Sequence, residues 1–171
     1  LQNYSDKRLE YYILNKNVGG AEARNIGISK SNGEFIAFLD DDDEWVKDKI
    51  TEQVNYFKLN QDLLILSSNY YCIRKDYTML VKNNYTITID DLLYYNYLGS
   101  FSFCMIRYET VKNKNINSKL KSCQDWDLWL KIAMSACGSM AVLQKPLIKY
   151  MDIHEIKLSN NSLDNYNSHL I

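Results

Sequence analysis

Residues 35–39, Phe-Ile-Ala-Phe-Leu, form an unbroken apolar run of five. A run this short and continuous predicts a central strand buried on both faces, as in parallel sheets. Residues 63–66 predict a second buried strand, and 103–107 a third. Shorter β-prone pieces fall at 11–14, 71–74, 79–81 and 85–89, with two more strands at 140–143 and 147–151 around the lone Pro146. Helical spacing takes over elsewhere. Residues 21–29 carry good helix formers, with Ala23, Ile26 and Gly27 on one side, and Asn32-Gly33 predicts a left-handed cap after them. Val46, Ile50, Val54 and Phe57 predict a helix over 45–59. Asp90 or Asp91 can cap a short helix reaching Tyr97. The clearest helix covers 124–135, where Asp125, Leu128, Trp129, Ile132, Ala133 and Ala136 share one face. Alternating strands and helices predict an α/β domain with mixed strand order.

Composition narrows the class. The 171 residues suit one domain with a real core, read as a single catalytic domain over 1–158 and a polar, mobile tail over 159–171. Lys plus Arg number 20 and Asp plus Glu 21, so no basic surface argues for nucleic acid. Four widely spaced cysteines form no paired zinc motif and read as buried free thiols in a reducing compartment. No apolar run approaches membrane-spanning length. The expected location is the cytoplasm, with the inner face of a membrane left open. The chain opens on Leu1 and a polar, aromatic stretch, which reads as a fragment.

Chemistry concentrates at two places. Asp40, Asp41, Asp42 and Asp43 leave the carboxyl end of the 35–39 strand, where open α/β sheets place their ligand crevices. Carboxylates there are hard ligands for Mg²⁺ or Mn²⁺, ions that also bind phosphate oxygens. The competing reading is a solvated turn with Asp43 capping the next helix. Asp125 occupies a position on an apolar helix face where leucine is usual. It either favours the helix dipole or looks into a cleft as a desolvated general base. Arg24, on the helix after Gly19-Gly20, offers a planar fork for phosphate, although a lone helical arginine is usually solvated.

Together these residues carry a resemblance. Residues 17–45, NVGGAEARNIGISKSNGEFIAFLDDDDEW, resemble the central signature of family 2 glycosyltransferases, which have the GT-A fold. Residues 124–130, QDWDLWL, resemble the family's later Glu-Asp-x-x-Leu-Trp stretch, in the same order and at a fitting distance. The likeness covers about residues 15–154.

The resemblance implies a metal-dependent, inverting transfer of sugar from a nucleotide-diphosphate sugar, most often a UDP-sugar, to a glycan or lipid-linked acceptor in polysaccharide or glycoconjugate synthesis. Asp42 would bind the Mn²⁺ or Mg²⁺, and Asp40 would touch the ribose or the metal. Arg24 and Asp41 fall on the nucleotide side, and His154 resembles a late histidine that approaches the metal or diphosphate. Asp125 matches the base. The family's opening Pro-x-x-Asn-like and Asp-Asp-x-Ser strands, which cradle the nucleobase, have no match here, and Gln124 replaces a glutamate. A GT-A-like mixed sheet truncated at its amino end would expose a sheet edge and invite self-association. Two alternatives stand beside the enzyme: a truncated, non-catalytic domain, and a nucleotidyltransferase, whose Gly-rich basic loop is missing. The transferase reading requires the acidic run and Asp125 to face one cavity.

Overall fold

Two long strands form the spine of the domain, described here in a computed structural model for residues 6–75, 77–83 and 85–152. Strand β3 (Leu63–Ile73) is buried from Leu63 to Asn69 and runs parallel to β7 (Ser139–Met151), from Leu63 opposite Ser139 to Ile73 opposite Met151. Around them the order is β1 (Phe35–Ala37), β6 (Met105–Arg107), β3, β7 and β2 (Glu44–Trp45). Strands β1 and β6 are antiparallel to each other, β6 to β3, and β2 to β7. Short strands β4 (Thr78–Val81) and β5 (Thr86–Ile87) add to β3 and β7. The sheet is mixed, as the alternation of strands and helices predicts.

Helices cover the sheet because their apolar stripes have nowhere else to go. Leu128, Trp129 and Ile132 of α5 (Gln124–Ser135) enter the main core with Leu92 of α3 (Ile89–Tyr94) and with Ala21 and Ile28 of α1 (Gly20–Lys30). A second cluster joins Phe57 of α2 (Lys49–Leu59) to Leu63, Leu66, Met105 and Ala141. Each large apolar side chain so buried contributes about 1.5–3 kcal/mol. A four-residue helix, α4 (Tyr108–Val111), follows β6.

Several expectations are corrected. The 35–39 run keeps three residues as strand and lies at one end of the strand order, with Leu39 exposed, so it is no central strand. The 45–59 helix starts at Lys49, because Glu44 and Trp45 pair with Lys149 and Ile148 instead. Its buried side is Lys49, Gln53 and Phe57, while Ile50 is 42% exposed. Asp43 therefore caps no helix. Residues 11–14 form no strand. Helix α1 ends on an extended Ser31, without a left-handed glycine at 33. Thr88 caps α3 in a reciprocal pair with Asp91, and that helix stops at Tyr94. The 103–107 segment becomes strand only from Met105, since Phe101–Phe103 coil into a 3-10 turn. The two strands around Pro146 are one. The β3–β7 register slips between Ser68 and Asn69, where Leu143 and then Pro146 are the partners. Gln144 and Lys145 are thereby skipped, and the proline with no N–H to give sits at the irregularity. Cys72 and Cys104 are buried, Cys123 half-buried and Cys137 exposed.

Candidate active site

The acidic run is a tight turn. The Asp43 N–H donates to the Asp40 carbonyl at 3.2 Å, placing exposed Asp41 and Asp42 at the tip and half-buried Asp40 and Asp43 at the base. Asp40 forms an ion pair with Arg24. That pair is possible because Ala21, Arg24, Asn25 and Ile28 share the inner side of α1, so the guanidinium is carried toward the sheet rather than into water. Phe101 lies beneath it, 4.4 Å from the guanidinium carbon to the ring centre. A Cβ at Gly20 would come within 2.8 Å of Arg24 Nη1, so glycine leaves room for the guanidinium to fold back along α1.

Ser102 ties the base of the turn together. Its Oγ accepts the Asp40 N–H at 3.0 Å, and its hydroxyl bonds the Asp43 carboxylate. Asp43 also accepts the Met151 N–H at 3.3 Å, fastening the acidic turn to the end of β7. Burial pushes the Asp43 carboxyl upward, opposed by the Ser102 and Met151 bonds and reinforced by the charges of Asp42 and Asp40.

Asp125 enters from the other side. It stands in the first turn of α5, after Cys123, whose φ of 57° is a left-handed conformation uncommon outside glycine and asparagine. Its Oδ1 accepts the Trp126 N–H at 2.7 Å. Burial raises its pKa to about 6. The Trp126 bond and the Arg24 charge pull it down, and the Asp40 charge pushes it up. Asp40, Arg24 and Asp125 thus act on one another in a single electrostatic environment. Asn25 helps deliver the base, because its amide donates to the Ile116 carbonyl at 3.0 Å and accepts the Ile116 N–H at 2.8 Å. That pair clips α1 to the segment leading into α5.

Of the residues expected at the site, Arg24, Asp40 and Asp125 come together, and Asp41 and Asp42 stand at the turn's tip. His154 lies outside the described residues, as does the 159–171 tail. Among the described residues no three carboxylate, imidazole or thiolate groups converge on a metal position. What the turn offers is one or two carboxylates at its tip. Mg²⁺ characteristically accepts that, taking its remaining oxygens from substrate phosphate and water. Sequence reasoning missed Ser102, Phe101 and the tethering by Asp43. A polar residue set inside the apolar run Phe-Ser-Phe-Cys-Met-Ile was the available signal for Ser102.

The fold is of the GT-A glycosyltransferase type. The chain belongs to glycosyl transferase family 2, whose sequence model matches residues 1–150. It is 41% identical over 58 residues to the putative teichuronic acid biosynthesis glycosyltransferase TuaG of Bacillus subtilis, covering 33% of this chain and 23% of TuaG. It is 31% identical over 137 residues to WfaP of Escherichia coli, named a UDP-Glc:alpha-D-GlcNAc-diphosphoundecaprenol beta-1,3-glucosyltransferase, covering 77% of this chain and 51% of WfaP. The chain therefore spans from less than a quarter to about half the length of these relatives. In fold it is similar to S. aureus TarS 1–349 in complex with UDP-GlcNAc, with a TM-score of 0.69 at 19% identity over 86% of this chain and 43% of TarS 1–349. No helix of the described residues is long and apolar enough to cross a membrane.

Proposed function

We propose that this domain transfers a sugar from a UDP-sugar to a hydroxyl of a glycan or lipid-linked acceptor, with inversion at the anomeric carbon and Asp125 as the base. The observation that carries the reading is the placement of Asp125, in the first turn of α5, within the electrostatic reach of the Arg24–Asp40 pair at the base of the acidic turn, and its raised pKa agrees with that. A carboxylate with a pKa near 6 is ionised at neutral pH yet basic enough to accept a proton as a bond forms. The acceptor O–H proton passes to the Asp125 carboxylate. The oxygen bonds to the anomeric carbon, the bond from that carbon to the β-phosphate oxygen breaks, and the nucleoside diphosphate leaves with the electron pair. Arg24, fixed by Asp40 and Phe101, supplies positive charge on the donor side. Asp42 would hold a Mn²⁺ or Mg²⁺, and that ion would supply positive charge against the leaving diphosphate. The names of WfaP, with its UDP-glucose donor and lipid diphosphate acceptor, and of TarS with UDP-GlcNAc support this choice of substrates.

The test is UDP binding by calorimetry with and without Mn²⁺, together with UDP release from UDP-glucose and UDP-GlcNAc. Asp42→Ala should remove the metal-dependent part of UDP binding. Asp125→Asn should leave UDP binding intact and slow UDP release by about 10²–10⁴-fold. Metal-independent binding that ignores Asp42→Ala overturns the assignment. A chain that binds no UDP with or without Mn²⁺ overturns it as well.

A further inference from the structure

Lys49 is fully buried, a place where lysines are rare. Its partners are neutral. Nζ donates to the Gln53 side-chain oxygen and to the Phe103 carbonyl at 3.1 Å, and lies 5.2 Å from the centre of the Trp45 ring. The nearby Cys104 thiol is pushed far up by burial and stays neutral. Burial pulls the Lys49 pKa down to about 7, a measure of how poorly the pocket suits a charge. A methionine would fill the space without that penalty.

What the amine holds is informative. Gln53 Nε2 donates to the same Phe103 carbonyl at 3.1 Å and to the Leu66 carbonyl at 3.0 Å, and Trp45 Nε1 donates to the Ser102 carbonyl at 3.0 Å. Three side chains just after the acidic turn therefore grip two successive carbonyls of the 101–103 turn. Within that turn, Phe101 lies under Arg24 and edge-on to Trp129 of α5, with ring centres 5.6 Å apart, and Ser102 binds Asp40 and Asp43.

We propose that Lys49 is a positioning residue: with Gln53 and Trp45 it staples the 101–103 turn to α2, and through Phe101 and Ser102 it sets the acidic turn and Arg24 in register with α5. Its effect on turnover rests on the transferase reading. Its effect on the acidic turn does not.

The test is Lys49→Met in this chain, read by amide hydrogen exchange. The Asp40 amide, bonded to Ser102, should exchange about tenfold faster, while the α5 amides of Leu128, Trp129 and Ile132 keep their protection and the Tm holds or rises. UDP-sugar turnover should fall about tenfold or more per folded molecule. Trp45→Phe, which keeps the ring and loses the donor to Ser102, should loosen the Asp40 amide in the same direction, and it decides the matter if Lys49→Met does not fold. Unchanged exchange at Asp40, or faster exchange everywhere together, overturns the staple. Failure of the transferase reading shows separately, as UDP release that Asp125→Asn does not slow.

Discussion

Asp125 carries consequences for both activity and stability. With ionised Asp125 as the proposed base, kcat/KM should climb about tenfold per pH unit below about 6 and level off above it. A profile flat from pH 5 to 8 removes Asp125 from that role. For stability the sign is opposite. Its folded pKa of about 6 lies above the ordinary 3.8, so the folded state holds this proton more tightly. That contribution is whole below about 3.8, is lost progressively as pH rises from there through 6, and above 6 the ionised carboxylate destabilises the fold by the full amount. The full shift corresponds to about 3 kcal/mol at about 1.4 per unit, and the partial exposure of Asp125 reduces that to about 1–2 kcal/mol. Asp125→Asn should therefore raise the Tm at pH 8 by about 2–6 °C and change it little near pH 3, below the ordinary carboxyl pKa. A lower Tm at pH 8 would contradict the burial argument. Asp125 was legible in the sequence because a carboxylate on an apolar helical stripe is an anomaly visible in one dimension. The tether at Asp43 was not, since its partner lies 108 residues away, and Ser102 showed only as a polar residue in an apolar run, its partner Asp40 lying 62 residues away.

Among the elements, α1 shows how a short motif divides its work. Ala21 and Ile28 anchor the helix, Arg24 fixes Asp40, and Asn25 clips the Ile116 backbone. Asn25→Ala leaves one partly buried N–H and one carbonyl without that partner and should cost about 1–2 kcal/mol. Because Ile116 leads toward α5, the variant should lose more in kcat than in UDP affinity, read by steady-state kinetics beside calorimetry. Wild-type stability in a thermal melt would show that the clip does nothing. Helix α5 was readable to the residue, since Leu128, Trp129 and Ile132 are buried on one side and Ala133 and the following Ala136 pack against the same core. The start of α2 was misread for a reason of tertiary origin. Trp45 fits a helical pattern, yet β7 offered backbone partners to Glu44 and Trp45, and pairing prevailed over local propensity. Lys49 and Gln53 then occupy positions where pattern reading expects apolar side chains, because their partners are carbonyls on the 101–103 turn and on β3.

At the scale of the molecule, the parallel β3–β7 pair gathers the ends of distant segments into one region. The mixed α/β class follows from strand–helix alternation, but strand order does not, so the 35–39 run was placed at the centre of a sheet it borders. Its position creates a further expectation. Among the described residues, β1 has β6 on one side and no strand on the other. Leu9, Tyr11, Tyr12, Ile13 and Leu14 add an exposed apolar stretch of chain, with Ile13 94% exposed. Unpaired N–H and C=O groups on one strand flank can pair with another chain, and exposed apolar side chains add a driving force of about 25 cal/mol per Å² covered. This chain should therefore self-associate reversibly at micromolar concentration, with a sedimentation coefficient that rises with loading. Ile13→Lys combined with Leu14→Lys should shift it toward monomer by about tenfold in dissociation constant, while an exposed control such as Met134→Lys on α5 should not. A chain that sediments as a monomer at every concentration would mean that neither surface is adhesive.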